Sequence, residues 1–401
     1  MTRNSFLIGS LATTLLWLGS CSKPTMDGVR EFNYHRFANK IAEVTLTPKD
    51  FIVRMAQKET AFIDWVSDKL PDKEVIVESI LYKTTLPNGK SVFASGIIAR
   101  PKNTTKIKGV VSALHYTYGS QQEALSESFC CPDVSLAFFD YVVIMSDYIG
   151  LGSTQYLPQP YMHLENAAKV QLDMVFAARE YLKTLDIDAY VPQYVMGFSQ
   201  GGAIALAYAR AAYRDYPKDF RFIKIFAGSA PTDLMQVMDT YIEDNRVSNP
   251  FVIPALVIGM DYAYDLHLDY NNIFRGALLE NYQEWICSKK YTAQEVMGFL
   301  NTEVFSDLVH PDFFTEDKNP DINKLLDVMK LNSITDGYFP PVSVSLMHGL
   351  ADHTIPYANT HQFNQYLRAL GCDVDVNPTL VGDHRDCGAQ FYIAVLINLA
   401  F

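Results

Sequence analysis

The run Gly197-Phe198-Ser199-Gln200-Gly201 fits the pattern G-x-S-x-G, in which a serine sits on a tight strand-to-helix turn with its hydroxyl exposed at the sheet edge. The turn is sharp enough that the positions two before and two after the serine must be small. Its surroundings agree: the apolar Tyr194–Met196 precedes it, and the small-residue stretch Gly202–Ala207 follows. A serine hydroxyl is a weak nucleophile, so the chemistry such a turn serves, acyl transfer, also needs a neutral imidazole to take the proton and a carboxylate to orient that ring. With this turn the chain order is serine, acid, histidine. Asp352 closes His348-Gly349-Leu350-Ala351-Asp352, just after the strand pattern Val342–Met347, and His384 closes Gly382-Asp383-His384, just after Val374–Val381. The helical pattern Thr360–Leu370, stopped by Gly371, lies between them. One helix and one strand return the two strand ends to the same edge of a parallel sheet. His115, His348, His353 and His361 come too early in the chain or lie beside the acid, which leaves His384 as the candidate base.

Acyl transfer passes through an oxyanion, and each preorganised donor to it contributes about 3 kcal/mol. One donor is expected from the backbone N–H of Gln200, directly after the serine. A second is expected from the loop after Val110–Leu114, which reads His115-Tyr116-Thr117-Tyr118-Gly119. Tyr116 stands where a glycine would have marked the donor, so Tyr116 and Thr117 are both candidates.

The elements that must position these residues are legible as an alternation of short apolar runs and helical stretches. Val110–Leu114, Tyr141–Met145, Tyr194–Met196, Ile223–Ala227 and Val342–Met347 read as buried strands, with helices over Leu164–Leu185 and Ala203–Tyr213. That rhythm implies a mostly parallel sheet covered by helices on both faces. Before it, two β-rich runs between Val75 and Pro101 flank Asn88-Gly89, a hairpin signal. Residues 21–75 read as a polar linker and a helical segment, with Thr47 or Asp50 capping a helix near Phe51. The rhythm divides the core into 76–231 and 342–401, and the helical, aromatic-rich 232–341 reads as an insertion.

Composition bounds the rest. Hydrophobic residues at 49% against 19% charged describe a chain with a large core to bury. A net charge of -12 without a basic stripe argues against nucleic-acid partners. Arg3 followed by the apolar Phe6–Leu18 reads as an export signal over 1–20, too short for the roughly 20 residues that span a bilayer. Its end, Leu18-Gly19-Ser20-Cys21, resembles the lipobox of bacterial lipoproteins, in which Cys21 would carry a lipid anchor to the membrane. Six cysteines less Cys21 leave an odd number, so at least one thiol stays free. Cys372 and Cys387 are the first candidates for a disulfide, with Cys130 and Cys131 as competitors for Cys287. No metal-ligand spacing is present.

From about Ser79 to the C-terminus the chain resembles the secretory lipase family of α/β-hydrolases. Asp147-Tyr148-Ile149-Gly150-Leu151-Gly152, Pro160-Tyr161-Met162, Gly197–Gly202, Ala227–Leu234, His348–Asp352 and Gly382–His384 carry the likeness. It implies the α/β-hydrolase fold, an ester substrate, no metal or organic cofactor, and a triad of Ser199, Asp352 and His384. By the same resemblance the insertion is a helical lid over an acyl pocket, while Asp147 reads as a structural carboxylate at a strand end. Two rivals share these residues. A prolyl-oligopeptidase-like peptidase carries the same triad, but the stretch before Ser79 is too short for its propeller. A binding lipoprotein that kept the fold and lost catalysis would have little reason to keep an intact triad.

Overall fold

The computed structural model describes residues 34–401, with the exception of Gln57, Lys58, Thr105 and Tyr190. The stretch read as an export signal, with Cys21 after it, therefore lies outside the described residues. Nine strands form one sheet: β1 (Phe37–Leu46), β2 (Val75–Thr85), β3 (Ser91–Pro101), β4 (Gly109–Leu114), β5 (Tyr141–Ser146), β6 (Gln193–Phe198), β7 (Phe222–Gly228), β8 (Ser343–Gly349) and β9 (Val374–Leu380). Their order is β1-β2-β3-β5-β4-β6-β7-β8-β9. The pairs from β1 to β5 are antiparallel, and those from β5 through β4 to β9 are parallel. The β2–β3 hairpin turns at Gly89, whose φ of 79° is free of penalty only without a side chain.

Along the chain, α1 (Pro48–Met55), α2 (Thr60–Val66) and α3 (Leu125–Ser128) precede the long α4 (Leu164–Lys183) and α5 (Gln200–Asp215). Between β7 and β8 come α6 (Leu234–Asp244), α7 (Val252–Tyr264), α8 (Gly276–Tyr282), α9 (Ala293–Leu300), α10 (Phe305–Leu308) and α11 (Pro320–Leu331). Finally α12 (Tyr357–Ala369) and α13 (His384–Ala400) flank β9. Alternation along the central strands explains the layers. Val110, Leu114, Val142 and Ile144 join one apolar cluster with α4, α5 and α12, whereas Val111, Ala113, Val143 and Met145 join another with α1, α2 and α13. A strand buried on both faces reads as a continuous apolar run, which is why β4 and β5 stand out in the sequence. Among the described residues no helix is long and apolar enough to cross a membrane.

Two expectations are corrected. Within the segment read as linker and helix, Phe37–Leu46 is a strand, β1, on the sheet edge. Most of its side chains are exposed and its register shifts twice, so neither a two-residue nor a helical period survives. Contacts outside its own pattern hold it: Glu180 Oε2 accepts from the N–H groups of Arg36 and Phe37 at 3.0 and 2.8 Å. The cap at Thr47 is present, with Thr47 and Asp50 bonding reciprocally at the start of α1.

The second correction concerns Cys372 and Cys387, which are separate thiols, as are Cys130, Cys131 and Cys287. Cys372 precedes β9 and Cys387 follows it, so the 7 residues of β9 stand between them. At about 3.3 Å per residue the strand spans roughly 20 Å, whereas a disulfide needs Cα atoms within about 7 Å. Cys372 Sγ faces the Pro340 carbonyl at 3.6 Å and Cys387 Sγ the Gly382 carbonyl at 3.9 Å.

Candidate active site

The turn between β6 and α5 holds Ser199 at φ 56° and ψ -123°, a backbone conformation that a residue with a side chain adopts only when its surroundings impose it. The glycines make it possible. A Cβ on Gly197 would lie 2.1 Å from the Gly201 carbonyl oxygen, and one on Gly201 would lie 2.0 Å from that of Leu114. The Ser199 N–H donates to the Gly228 carbonyl at 2.8 Å, tying the turn to the end of β7.

Asp352 lies on the loop leaving β8, and His384 is the first residue of α13, reached by a three-residue link from β9 rather than lying on an extended loop. Asp383 caps that helix by accepting from the N–H groups of Arg385 and Asp386. The imidazole bridges the other two side chains: His384 Nε2 is 2.8 Å from Ser199 Oγ, and His384 Nδ1 is 2.7 Å from Asp352 Oδ2. The Phe198 ring packs at 4.9 Å against His384. Asp352 Oδ1 accepts from the backbone N–H groups of Thr354 and Ile355 at 3.0 and 2.9 Å. Burial would raise the Asp352 carboxyl, but the nearby His384 and His348 rings outweigh it and hold the group well below the usual carboxylate range. It is an anion throughout the physiological range.

Gln200 begins α5, where a backbone N–H has no intrahelical acceptor. In the loop after β4, Thr117 Oγ1 pairs with Tyr161 Oη at 2.8 Å, while the Tyr116 hydroxyl turns away to donate to Glu59 Oε1 at 3.0 Å. The carbonyl of Tyr116 is engaged by His115 Nδ1 at 2.7 Å. The His115 ring lies between Tyr118 and Tyr148, with centroids 4.2 and 3.9 Å away, and burial pushes it down to about 4, so it is neutral. Asp147, at the end of β5, accepts from the Ser95 hydroxyl at 2.7 Å and the Ser126 N–H at 3.1 Å, the bonding of a structural carboxylate.

Beside this loop is a cavity of about 160 Å³ bounded by Tyr118, Leu151, Tyr161, Phe251 and Ile258. Sequence reasoning did not anticipate Tyr161 as a partner of Thr117, although Pro160-Tyr161-Met162 was among the family-like stretches. It also gave no role to His348, whose Nε2 stands 3.4 Å from Asp352 Oδ2.

A mostly parallel sheet with helices on both faces, carrying a strained serine turn and a histidine–carboxylate pair at the ends of its strands, is the architecture of an α/β-hydrolase. Within that class the chain belongs to the secretory lipase family, whose model matches residues 138–387, and it is a hydrolase of esterase or lipase type. Among solved structures it is similar to a candidate hydrolase from Legionella pneumophila, at 21% identity and a TM-score of 0.76, over 91% of this chain and 97% of that one. The rice cell wall degrading esterase LipA from Xanthomonas oryzae superposes with a TM-score of 0.72 at 19% identity, over 89% and 94% of the two chains. Candida antarctica lipase A does so at 0.61 and 12% identity, over 86% and 77%. These structural likenesses show the fold. No curated protein matches the sequence significantly.

Proposed function

We propose that the protein is an exported serine esterase in which Ser199, His384 and Asp352 act as one catalytic unit. His384 Nε2 takes the proton of Ser199 Oγ as the oxygen attacks the ester carbonyl. The resulting oxyanion is met by the N–H of Gln200 and by a donor from Tyr116 or Thr117. Collapse expels the alcohol, to which His384 returns the proton, and leaves an acyl group on Ser199. Water, deprotonated by the same imidazole, then releases the acid. Asp352 keeps His384 in the tautomer whose Nε2 is free to accept and balances the imidazolium that forms. The observation that carries this reading is the unbroken chain of hydrogen bonds from Ser199 Oγ through His384 to Asp352 Oδ2, at 2.8 and 2.7 Å.

The substrate is a carboxylic ester, and residues 232–341 act as a lid whose helix α7 lines the space for its non-reacting part. Residues 1–20 direct export, and a lipid on Cys21 holds the protein at a membrane surface; a Cys21→Ser variant recovered in the soluble fraction of the producing cell would support the anchor. For the chemistry, a fluorophosphonate probe is expected to label Ser199 in the wild type. Ser199→Ala should lose the label and on the order of 10⁶ in turnover of p-nitrophenyl esters. An active wild type that the probe leaves unlabelled would sink the reading.

A further inference from the structure

His348 lies four residues before Asp352, takes no part in the reaction proposed above, and is completely shielded from solvent. Its Nε2 is 2.8 Å from the Ile355 carbonyl oxygen and 3.4 Å from Asp352 Oδ2, and its Nδ1 is 2.7 Å from Thr360 Oγ1. A carbonyl oxygen only accepts, so Nε2 carries a hydrogen. In the neutral ring Nδ1 is then the acceptor, and the Thr360 hydroxyl, one turn into α12, donates to it. The Tyr357 ring closes the other side edge-on at 5.7 Å.

This arrangement bears on the carboxylate. Two backbone N–H groups hold Asp352 Oδ1, while Oδ2 stands between two imidazoles, His384 Nδ1 at 2.7 Å and His348 Nε2 at 3.4 Å. Tyr241 and Cys387, which feel the Asp352 charge, are both held protonated, chiefly by burial. We propose that His348 is a positioning residue for acyl transfer: its Nε2–H, given to the Ile355 carbonyl and fixed in one tautomer by Thr360, holds the loop whose Thr354 and Ile355 N–H groups bind Asp352 Oδ1, and thereby sets the rotation of the Asp352 carboxylate and the aim of the His384 ring at Ser199.

The inference rests on the assignment of Ser199, His384 and Asp352, and the test separates the two. In the full-length protein, His348→Phe removes the donor and is expected to lower kcat for a small ester on the order of 10²-fold, the scale of a misaimed catalytic group, with little change in KM. His348→Gln restores a side-chain N–H and should recover most of that loss. Thr360→Val keeps the volume, frees the tautomer and should lower kcat on the order of 10-fold; it decides the matter if His348→Phe does not fold. A third readout is the strongly deshielded N–H proton between His384 and Asp352, which should move upfield in His348→Phe or Thr360→Val and return in His348→Gln. Failure of the probe to label wild-type Ser199 overturns the assignment itself. A labelled wild type whose kcat and deshielded proton are unchanged in Thr360→Val, or whose Gln and Phe variants are equally impaired, overturns the part given to His348.

Discussion

Two regions meet around the loop that leaves β4, and they are held by different means. At the sheet edge, backbone packs on backbone: a Gly201 Cβ would fall 2.0 Å from the Leu114 carbonyl, the Ser199 N–H bonds to Gly228, and the Ser229 N–H bonds to Met347 at 2.9 Å. The helical segment between β7 and β8 is tied down by side-chain anchors as well as by isolated backbone contacts. Asn359 Oδ1 accepts from the Thr232 N–H at 2.6 Å where the segment begins, and Lys289 Nζ donates to the carbonyls of Gly150, Gln155 and Leu157. A close backbone approach admits one residue type, and where several fall together, as around Ser199, they are written into the chain as a spaced motif. A side-chain anchor can be met by many residues from many places, and leaves no pattern. The reaction end of such a molecule is therefore constrained residue by residue, while the helical segment, in the lid role proposed for it, is freer to vary.

After loss of the nucleophile itself, the largest expected effect tests the constrained side. Asp352→Asn keeps the shape of the acid but offers His384 an amide in place of a carboxylate, which favours the wrong imidazole tautomer. A loss on the order of 10⁴ in kcat is expected by steady-state hydrolysis of a small ester, with folding intact by circular dichroism. If the folded variant keeps more than about a tenth of the activity, Asp352 does not orient the base, and the sheet edge is less constrained than its packing implies.

How far the sequence spoke follows the same division. Ser199, Asp352 and His384 were placed by chain order and by the ends of apolar runs, and the structure brings all three within hydrogen-bond reach. The buried strands β4 to β8 were legible because covering both faces demands uninterrupted apolar residues. Edge strand β1 was not, since exposure on both faces erases the period. The Cys372–Cys387 pairing failed because nearness in sequence across β9 is distance in space. Gly119 and Gly259 sit under the backbones of Ala293 and Tyr161, where a Cβ would come within 2.6 and 2.4 Å, yet each stands alone and no spaced set announces it. Tyr116 marked the loop after β4 as unusual, but its partner Glu59 comes from a distant stretch that no local pattern connects to it.

A smaller effect separates the regions by acid. His115, at the sheet edge, is buried and pushed down to about 4, whereas in the unfolded chain it returns to about 6.5. Between those values the unfolded chain binds more protons than the folded one, so stability falls as pH is lowered through that window. The loss is absent above about pH 6.5 and reaches on the order of 3 kcal/mol below about pH 4. His115→Asn keeps a donor for the Tyr116 carbonyl and does not titrate. Urea unfolding at pH 7 and pH 4.5 is expected to show wild type losing more stability than this variant; equal losses would mean that the ring is not held neutral.

The smallest effect tests the covering segment. Lys289 lies between α8 and α9, and its ammonium gathers three carbonyls from the loop that follows β5. Hydrogen bonds made by a charged donor contribute about 2 kcal/mol, and they join the segment to the core without touching Ser199. Lys289→Met fills the same space and leaves those carbonyls without their charged donor. Hydrogen exchange should quicken in residues 276–300 while β6 and α5 keep their protection, because the loss is local to one weakly tied unit. KM for longer esters should rise more than kcat falls, since the change lies in what covers the substrate and not in what attacks it. Were kcat for a small ester to fall as far as KM rises, the covering segment would be setting the geometry of the reacting groups, and the division between a constrained edge and a variable cover would not hold.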